Sequence, residues 1–289
     1  MAPEIGIIGG SRAYDLLRRG DIEAGDLAPV STPYGASSPM GRVRLGRTGA
    51  VFVSRHGAGG YEVSAPFVNY RANIYALKDA GVERIIAWSG PGAIDDSLEV
   101  GQFVLPDDLL DETHGRHNTF FHGGGIGFIR MSPVFCPEVA EALAAACEGV
   151  GAVVRRGGTY VCTQGPRLET RAEIRKFRIL GGDLVGMTLA PEAFLARELE
   201  MCYAAVCYVT NYAEGIRPSP VCRDRLFEGL ATSGEAERAE EAVARLPAIV
   251  LAAADRLASL RRGCSCGRAM ERYRLRGDIG EDWREWLRP

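Results

Sequence analysis

The chain has 289 residues, 46% of them apolar and 25% charged, and 34 basic against 37 acidic side chains leave a formal net charge of −3. That balance excludes a disordered chain, a collagen-like repeat and a strongly basic nucleic-acid binder, and the length suits one large α/β domain, or at most two domains. No run of about 18 apolar residues occurs, so no membrane span is expected.

Ile5 to Ser11 reads as a short buried strand that ends in two glycines and a hydroxyl. Residues 43–54 alternate loosely and end in a second strand, Val51 to Ser54. Residues 66–80 have helical spacing, with Gly81 placed as a C-cap. Arg84 to Ser89 is a strand that stops at Gly90-Pro91-Gly92, and another covers Phe103 to Leu105. The polar, glycine-rich segment 111–127 reads as a long functional loop. Asp107, Asp108 and Asp111 read as a solvated strand-to-loop stretch rather than a carboxylate cluster.

An alanine-rich helix is predicted from Pro137 to about Gly149, and strands at Thr159–Thr163, 183–187 and 203–210. Helices are predicted at 169–180 and 191–201. Thr232-Ser233-Gly234-Glu235 fits a capping box opening a long helix that Pro247 is expected to kink. Alternating strands and helices imply a central, mixed, mostly parallel twisted sheet flanked by helices in a single α/β domain over residues 1–262. A charged tail follows over 263–289, with Trp283 and Trp286 as anchors.

The N-terminus lacks a basic stretch followed by a long apolar one, so no secretory leader is expected. The eight cysteines are spread along the chain, which argues against a secreted disulfide scaffold and makes the cytoplasm the expected location. Cys264-Ser265-Cys266 is either a pair of surface thiols or a stabilising disulfide. A zinc site there would need further ligands, and none has obvious spacing, so no metal is expected.

The chemistry-bearing residues sit at strand ends. Gly9-Gly10-Ser11 is either a tight turn or a backbone-and-hydroxyl cradle for an anion. Arg55 and His56 close the second strand; an arginine fork suits phosphate, although surface Arg-His pairs are common. Ser89 and Gly90 close the next strand. Glu169 follows Gly165-Pro166-Arg167, where a carboxylate either favours a helix dipole or accepts from a ligand N–H. Met187 and Thr188 close a further strand, and Met187 equally suits gap filling in a core. Asn211, at the last strand, has the donor and acceptor that suit a heterocycle edge or a turn.

In this order the segments Ile5–Ser11, Thr32-Pro33-Tyr34-Gly35, Arg55-His56-Gly57, Val68-Asn69-Tyr70-Arg71-Ala72-Asn73, Thr119-Phe120-Phe121, Phe135-Cys136-Pro137, 158–173 and 186–197 closely match one family. The chain resembles the trimeric purine nucleoside phosphorylase and methylthioadenosine phosphorylase family over roughly residues 5–230. The resemblance implies that Ser11, Arg55, His56, Ser89, Gly90 and Thr188 hold phosphate and that Met187 holds the ribose hydroxyls. Phe128 would close the ribose pocket of a neighbouring subunit, and Glu169 and Asn211 would recognise the base. It also implies inorganic phosphate as co-substrate without any cofactor, a purine nucleoside as substrate, and a homotrimer or dimer of trimers, with no nucleic-acid or membrane partner.

Glu169 and Asn211 align with the pair found in 6-oxopurine enzymes, where the 6-aminopurine members have Gly-Pro-Arg-Phe-Ser and two aspartates. The expected reaction is therefore phosphorolysis of inosine and guanosine, with Asn211, Glu169 and His56 in catalytic roles. The alternatives are a methylthioinosine or methylthioadenosine phosphorylase, a hydrolytic nucleosidase and a non-catalytic nucleoside-binding protein. Two departures stand out. The run Gly57-Ala58-Gly59-Gly60-Tyr61 lacks the family's histidine, and Arg223, or Val221 with a one-residue shift, falls where the 5′ preference is set. Cys264-Ser265-Cys266 also resembles a pair found in heat-stable members.

Overall fold

The computed structural model describes residues 4–45, 48–123, 125–217 and 232–287. The strands are β1 (Glu4–Gly9), β2 (Ser31–Thr32), β3 (Gly35–Ala36), β4 (Met40–Leu45), β5 (Thr48–Ser54), β6 (Val82–Ser89), β7 (Gly92–Ala93), β8 (Phe103–Leu105), β9 (Asp108–Glu112), β10 (Val154–Arg156), β11 (Thr159–Thr163), β12 (Leu184–Gly186), β13 (Cys202–Tyr208) and β14 (Asn211–Tyr212). The helices are α1 (Ala13–Arg19), α2 (Tyr70–Asp79), α3 (Pro137–Gly149), α4 (Arg171–Ile179), α5 (Leu189–Glu198), α6 (Ser233–Ser259), α7 (Glu271–Arg276) and α8 (Trp283–Trp286).

β1, β6 and β13 are continuous apolar runs because both faces of their sheet are covered. Ile5, Ile8, Ile85, Ile86 and Val206 are all fully buried, each worth about 1.5–3 kcal/mol against exposure. These strands form the centre of a seven-stranded sheet ordered β10-β8-β13-β6-β1-β5-β4. The pairs β1/β5, β1/β6 and β13/β6 are parallel, whereas β4/β5 and β13/β8 are antiparallel. The expected single strand within 43–54 is in fact the second arm of the β4/β5 hairpin.

A second sheet, ordered β14-β7-β12-β11-β9, was not foreseen. Its β7 and β14 have only two residues each, too short to show any periodicity. Two connections join the sheets. β6 continues through Gly90-Pro91 into β7, and β13 continues through Val209-Thr210 into β14. Both crossings therefore lie on the seam between the sheets.

α6 opens on the expected capping box, with Thr232 and Glu235 exchanging both hydrogen bonds. It runs through Pro247 as one element. Its C-terminal carbonyls are satisfied from afar: Arg84, fully buried, donates to Leu257 O at 2.6 Å and to Leu260 O at 2.8 Å, a favourable pairing of a cation with a helix end. The short helix α1, which the sequence reading missed, buries only Ala13 and Leu16. The charged tail also reaches the core, where Met270, Tyr273 and Trp286 join the main buried cluster. Among the described residues, no helix is long and apolar enough to cross a membrane.

Candidate active site

A cavity of about 1320 Å³ opens where the strand ends of the two sheets meet. The large sheet contributes Ser11 after β1, His56 after β5 and Ser89 at the end of β6. The small sheet contributes Glu169 after β11, Met187 and Thr188 after β12, and Asn211 in β14. Gly90 and Thr210, the two seam crossings, line it as well. One face of α6, including Ala236, Glu240 and Val243, closes the remaining side.

The turn after β1 depends on close approach. A Cβ on Gly10 would lie 2.3 Å from Trp88 O and 2.9 Å from Arg55 Nη1. Trp88 Nε1 donates to Ser11 O at 3.2 Å and pins the turn from below. Across the seam, Ser89 Oγ lies 3.3 Å from Thr188 Oγ1 and 3.0 Å from the Tyr160 hydroxyl. Two neighbouring hydroxyls and the adjacent Gly90 backbone form a donor set suited to a tetrahedral anion.

His56 is 1% exposed. Its Nδ1 lies 2.8 Å from Val63 O, and Tyr61 stacks on the ring with centroids 4.3 Å apart. Because Nδ1–H donates to a carbonyl, the buried Nε2, which has no partner among the described residues, is an acceptor. Burial, then the charge of Arg55, push the ring's pKa down to about 4, against the pull of the Val63 carbonyl.

The folded pKa lies below the ordinary 6.5, so the fold favours the neutral ring. The resulting stability is present above pH 6.5 and is lost as pH falls towards 4. The 2.5-unit difference at 1.36 kcal/mol per unit gives roughly 3 kcal/mol. We expect the unfolding free energy to lose that amount between pH 6.5 and 4. His56→Asn, which keeps a donor for Val63 O and cannot titrate, should flatten the slope. An unchanged acid slope in that variant would refute the assignment.

Arg55 is not on the cavity wall. It is fully buried beneath the Gly9-Gly10 turn, and Glu192 takes both prongs of its fork, Nε–Oε1 at 2.6 Å and Nη2–Oε2 at 2.8 Å. Nη1 donates to Trp88 O at 3.3 Å, and Tyr203 donates a further hydrogen bond to Glu192 at 2.7 Å. Burial works against the arginine's charge, but Glu192 more than offsets it and holds the pKa well above its ordinary value. The expectation of an arginine fork open to phosphate is therefore corrected: the fork is spent on a carboxylate that the sequence reading did not consider.

Glu169 is half-buried. Thr163 Oγ1 donates to its Oε1 at 2.5 Å. Burial raises its pKa, partly countered by that hydrogen bond. It is not a helix-start residue. α4 begins at Arg171, and its capping box is Thr170 with Glu173. Asn211 is 9% exposed; its Oδ1 accepts from Thr210 Oγ1 at 2.6 Å and its Nδ2 donates to Tyr212 O at 2.9 Å. Those two bonds fix the amide's orientation and leave one Nδ2 hydrogen.

Met187 lines the cavity and packs under Gly165, whose φ of +64° and close approach to the Met187 sulfur suit glycine alone. Phe128 does not line this chain's cavity; it is 75% exposed, with its backbone N–H donating to the Tyr273 hydroxyl at 2.9 Å. Val221 and Arg223 lie outside the described residues. The acidic stretch is exposed as expected, with Asp107 capping the Gly158 N–H at 2.8 Å. The sequence reading missed Arg12, Tyr61 and the α6 face. Arg12 adjoins the glycine turn and was findable, but nothing local marks α6 as a wall. It also missed that Cys136 and Cys202 join Cys264 and Cys266, with all four sulfurs within 4.8 Å of one another.

Hydroxyls, backbone N–H groups and a neutral imidazole thus gather in a cavity that also presents an amide and a carboxylate, a layout suited to an enzyme that uses phosphate to split a base from its sugar. Residues 4–254 match the model of the phosphorylase superfamily, and the chain belongs to that family of enzymes. It is 42% identical over 243 residues to the 6-oxopurine nucleoside phosphorylase of Pyrococcus furiosus, covering 81% of this chain and 88% of that one. It is 45% identical over 224 residues to a probable S-methyl-5′-thioinosine phosphorylase of Methanothermobacter thermautotrophicus, covering 78% and 77%. A crystal structure of a methylthioadenosine phosphorylase from an antarctic soil metagenomic library superposes with a TM-score of 0.78 at 32% identity, covering 93% of this chain and 91% of that one.

Proposed function

We propose that this phosphorylase cleaves 6-oxopurine nucleosides, inosine and guanosine, with inorganic phosphate as co-substrate and no cofactor. The observation that carries the reading is that Glu169 and Asn211 line the same cavity, with the amide's orientation fixed by Thr210 and Tyr212. Hypoxanthine and guanine carry an N1–H donor and an O6 acceptor. Glu169 accepts from N1–H, and the remaining Asn211 N–H donates at O6 or N7. Adenine has a bare N1, which would face a carboxylate with no proton between them, a mismatch of several kcal/mol.

Phosphate is held by Ser11, Ser89, Thr188 and the Gly90 N–H, with His56 Nε2 accepting from a protonated phosphate oxygen. A phosphate oxygen bonds to the anomeric carbon as the bond to N9 breaks. The electron pair leaves with the purine, where the Asn211 N–H meets the developing charge. Met187 packs against the ribose. Arg55, paired with Glu192, acts from beneath by shaping the glycine turn.

A panel of inosine, guanosine, adenosine and their methylthio analogues, each with and without phosphate, tests the proposal. We expect phosphate-dependent release of hypoxanthine and guanine. Asn211→Ala should lower kcat by about 10²-fold, the scale of removing one transition-state donor. Cleavage without phosphate, preference for adenosine, or a fully active Asn211→Ala would each reject it. The methylthioinosine reading keeps the same base pair and is supported by the relative at 45% identity; faster turnover of methylthioinosine than inosine would select it. We further propose a cytoplasmic homotrimer in which the exposed Phe128 covers a neighbour's ribose site. Sedimentation of the intact chain measures that state.

A further inference from the structure

We propose that Cys136, Cys202, Cys264 and Cys266 form a tetrathiolate site for one structural zinc ion. The four sulfurs come from three separate parts of the chain. Cys136 is the N-cap of α3, Cys202 opens β13, and Cys264 and Cys266 flank the start of a short 3-10 turn, Ser265–Arg268. All four lie within 4.8 Å of one another, and Cys202 and Cys264 are 3.3 Å apart. Zinc–sulfur bonds of about 2.3 Å in a tetrahedron put the sulfurs about 3.8 Å apart, inside this range. A multi-iron cluster places its own metal and sulfide atoms between the cysteines and needs a wider cage.

The ligands sit on fixed supports. The Cys136 N–H donates to Tyr203 O at 2.7 Å, tying the start of α3 to β13. Three of the four side chains are buried.

Charge favours the metal over the alternatives. Four thiolates around Zn²⁺ carry a net charge of −2. Two guanidinium groups adjoin them: Arg197 Nη1 donates to Cys266 Sγ at 3.6 Å, and Arg262 lies against Cys264. The Arg262 Nε is buried and has no hydrogen-bond partner among the described residues. Each arginine also donates to a backbone carbonyl, Arg262 to Glu200 O at 2.6 Å and Arg197 to Pro133 O, but a carbonyl carries no counter-charge, whereas a dianionic site offsets the desolvation of both cations.

None of the four cysteines lines the nucleoside cavity. The ion would instead clamp the C-terminal segment to α3 and β13. That segment's Tyr273 hydroxyl holds the Phe128 backbone.

The full-length chain, purified under reducing conditions without chelator, is analysed for metals, and Co²⁺ is exchanged in as a spectroscopic probe. We expect about one zinc per chain, a sulfur-to-cobalt charge-transfer band and the intense d–d bands of a tetrahedral site. The double variant Cys264→Ser/Cys266→Ser should lose the metal and both bands and melt at a lower temperature. Because those two residues lie in the tail, inosine turnover at low temperature reports whether the variant still folds. Three results would overturn the proposal: a reduced, active chain that takes up neither zinc nor cobalt, an intact mass lighter by four hydrogens that persists as two disulfides under mild reduction, or full zinc content in the double variant.

Discussion

Glu169→Ala lowers kcat/KM for inosine and guanosine by roughly 10²-fold or more while leaving the unfolding free energy nearly unchanged. The size follows from removing a charged acceptor from a buried ligand donor. The separation from stability follows from the structure: Glu169 stands outside α4, whose first turn is capped by Thr170 and Glu173, and its carboxylate accepts from the Thr163 hydroxyl within the same strand-to-helix connection. Glu169→Gln is the sharper variant. An amide can accept from N1–H or donate to a bare N1, so the preference for inosine over adenosine should narrow even as inosine turnover falls. Steady-state kinetics on both nucleosides, alongside denaturant titration, measure this. Parallel loss of activity and stability would return Glu169 to a purely local role.

Arg55→Ala should cost about 3–5 kcal/mol of stability, because it leaves the Glu192 carboxylate buried and uncompensated. Arg55, Glu192 and Tyr203 form one closed network beneath the glycine turn. Removing both charges with Arg55→Met/Glu192→Leu should recover part of that loss, since the two apolar side chains need no partner while the buried Tyr203 hydroxyl loses its acceptor. The single variant's phosphate KM should also rise, through the displaced turn rather than a lost contact. Chemical denaturation of the single and double variants decides the case; a loss below about 1 kcal/mol in Arg55→Ala, the scale of an exposed pair, would show that the pair is not the buried network described above.

Much of the fold was legible in the sequence because its longest elements carry strong periodic or apolar signals. The helix over Pro137–Gly149 and the strand over Thr159–Thr163 appear with the expected limits. The capping box at Thr232 was legible because it is a purely local exchange of two hydrogen bonds. The second sheet was not, because two-residue strands such as β7 and β14 are defined by their partners rather than by their own composition.

The site divides the same way. Residue types at strand ends, Ser11, His56, Ser89, Glu169, Thr188 and Asn211, could be picked out one by one, and a family resemblance united them. Their chemistry belongs to the side chain, and a strand followed by glycine, proline or a hydroxyl marks itself. What the chain order could not reveal is which groups touch. Arg55 meets Glu192 across 137 positions, and Cys136 and Cys202 reach the tail's Cys-x-Cys. The first contact turns an apparent phosphate ligand into a buried ion pair, and the second gathers scattered thiols into one cluster. The sequence alone determined the inventory of reactive groups and the local elements that carry them. Burial and long-range pairing, which set each group's charge and free valences, arise only when distant segments exclude water from one another, and those were decided by the tertiary structure.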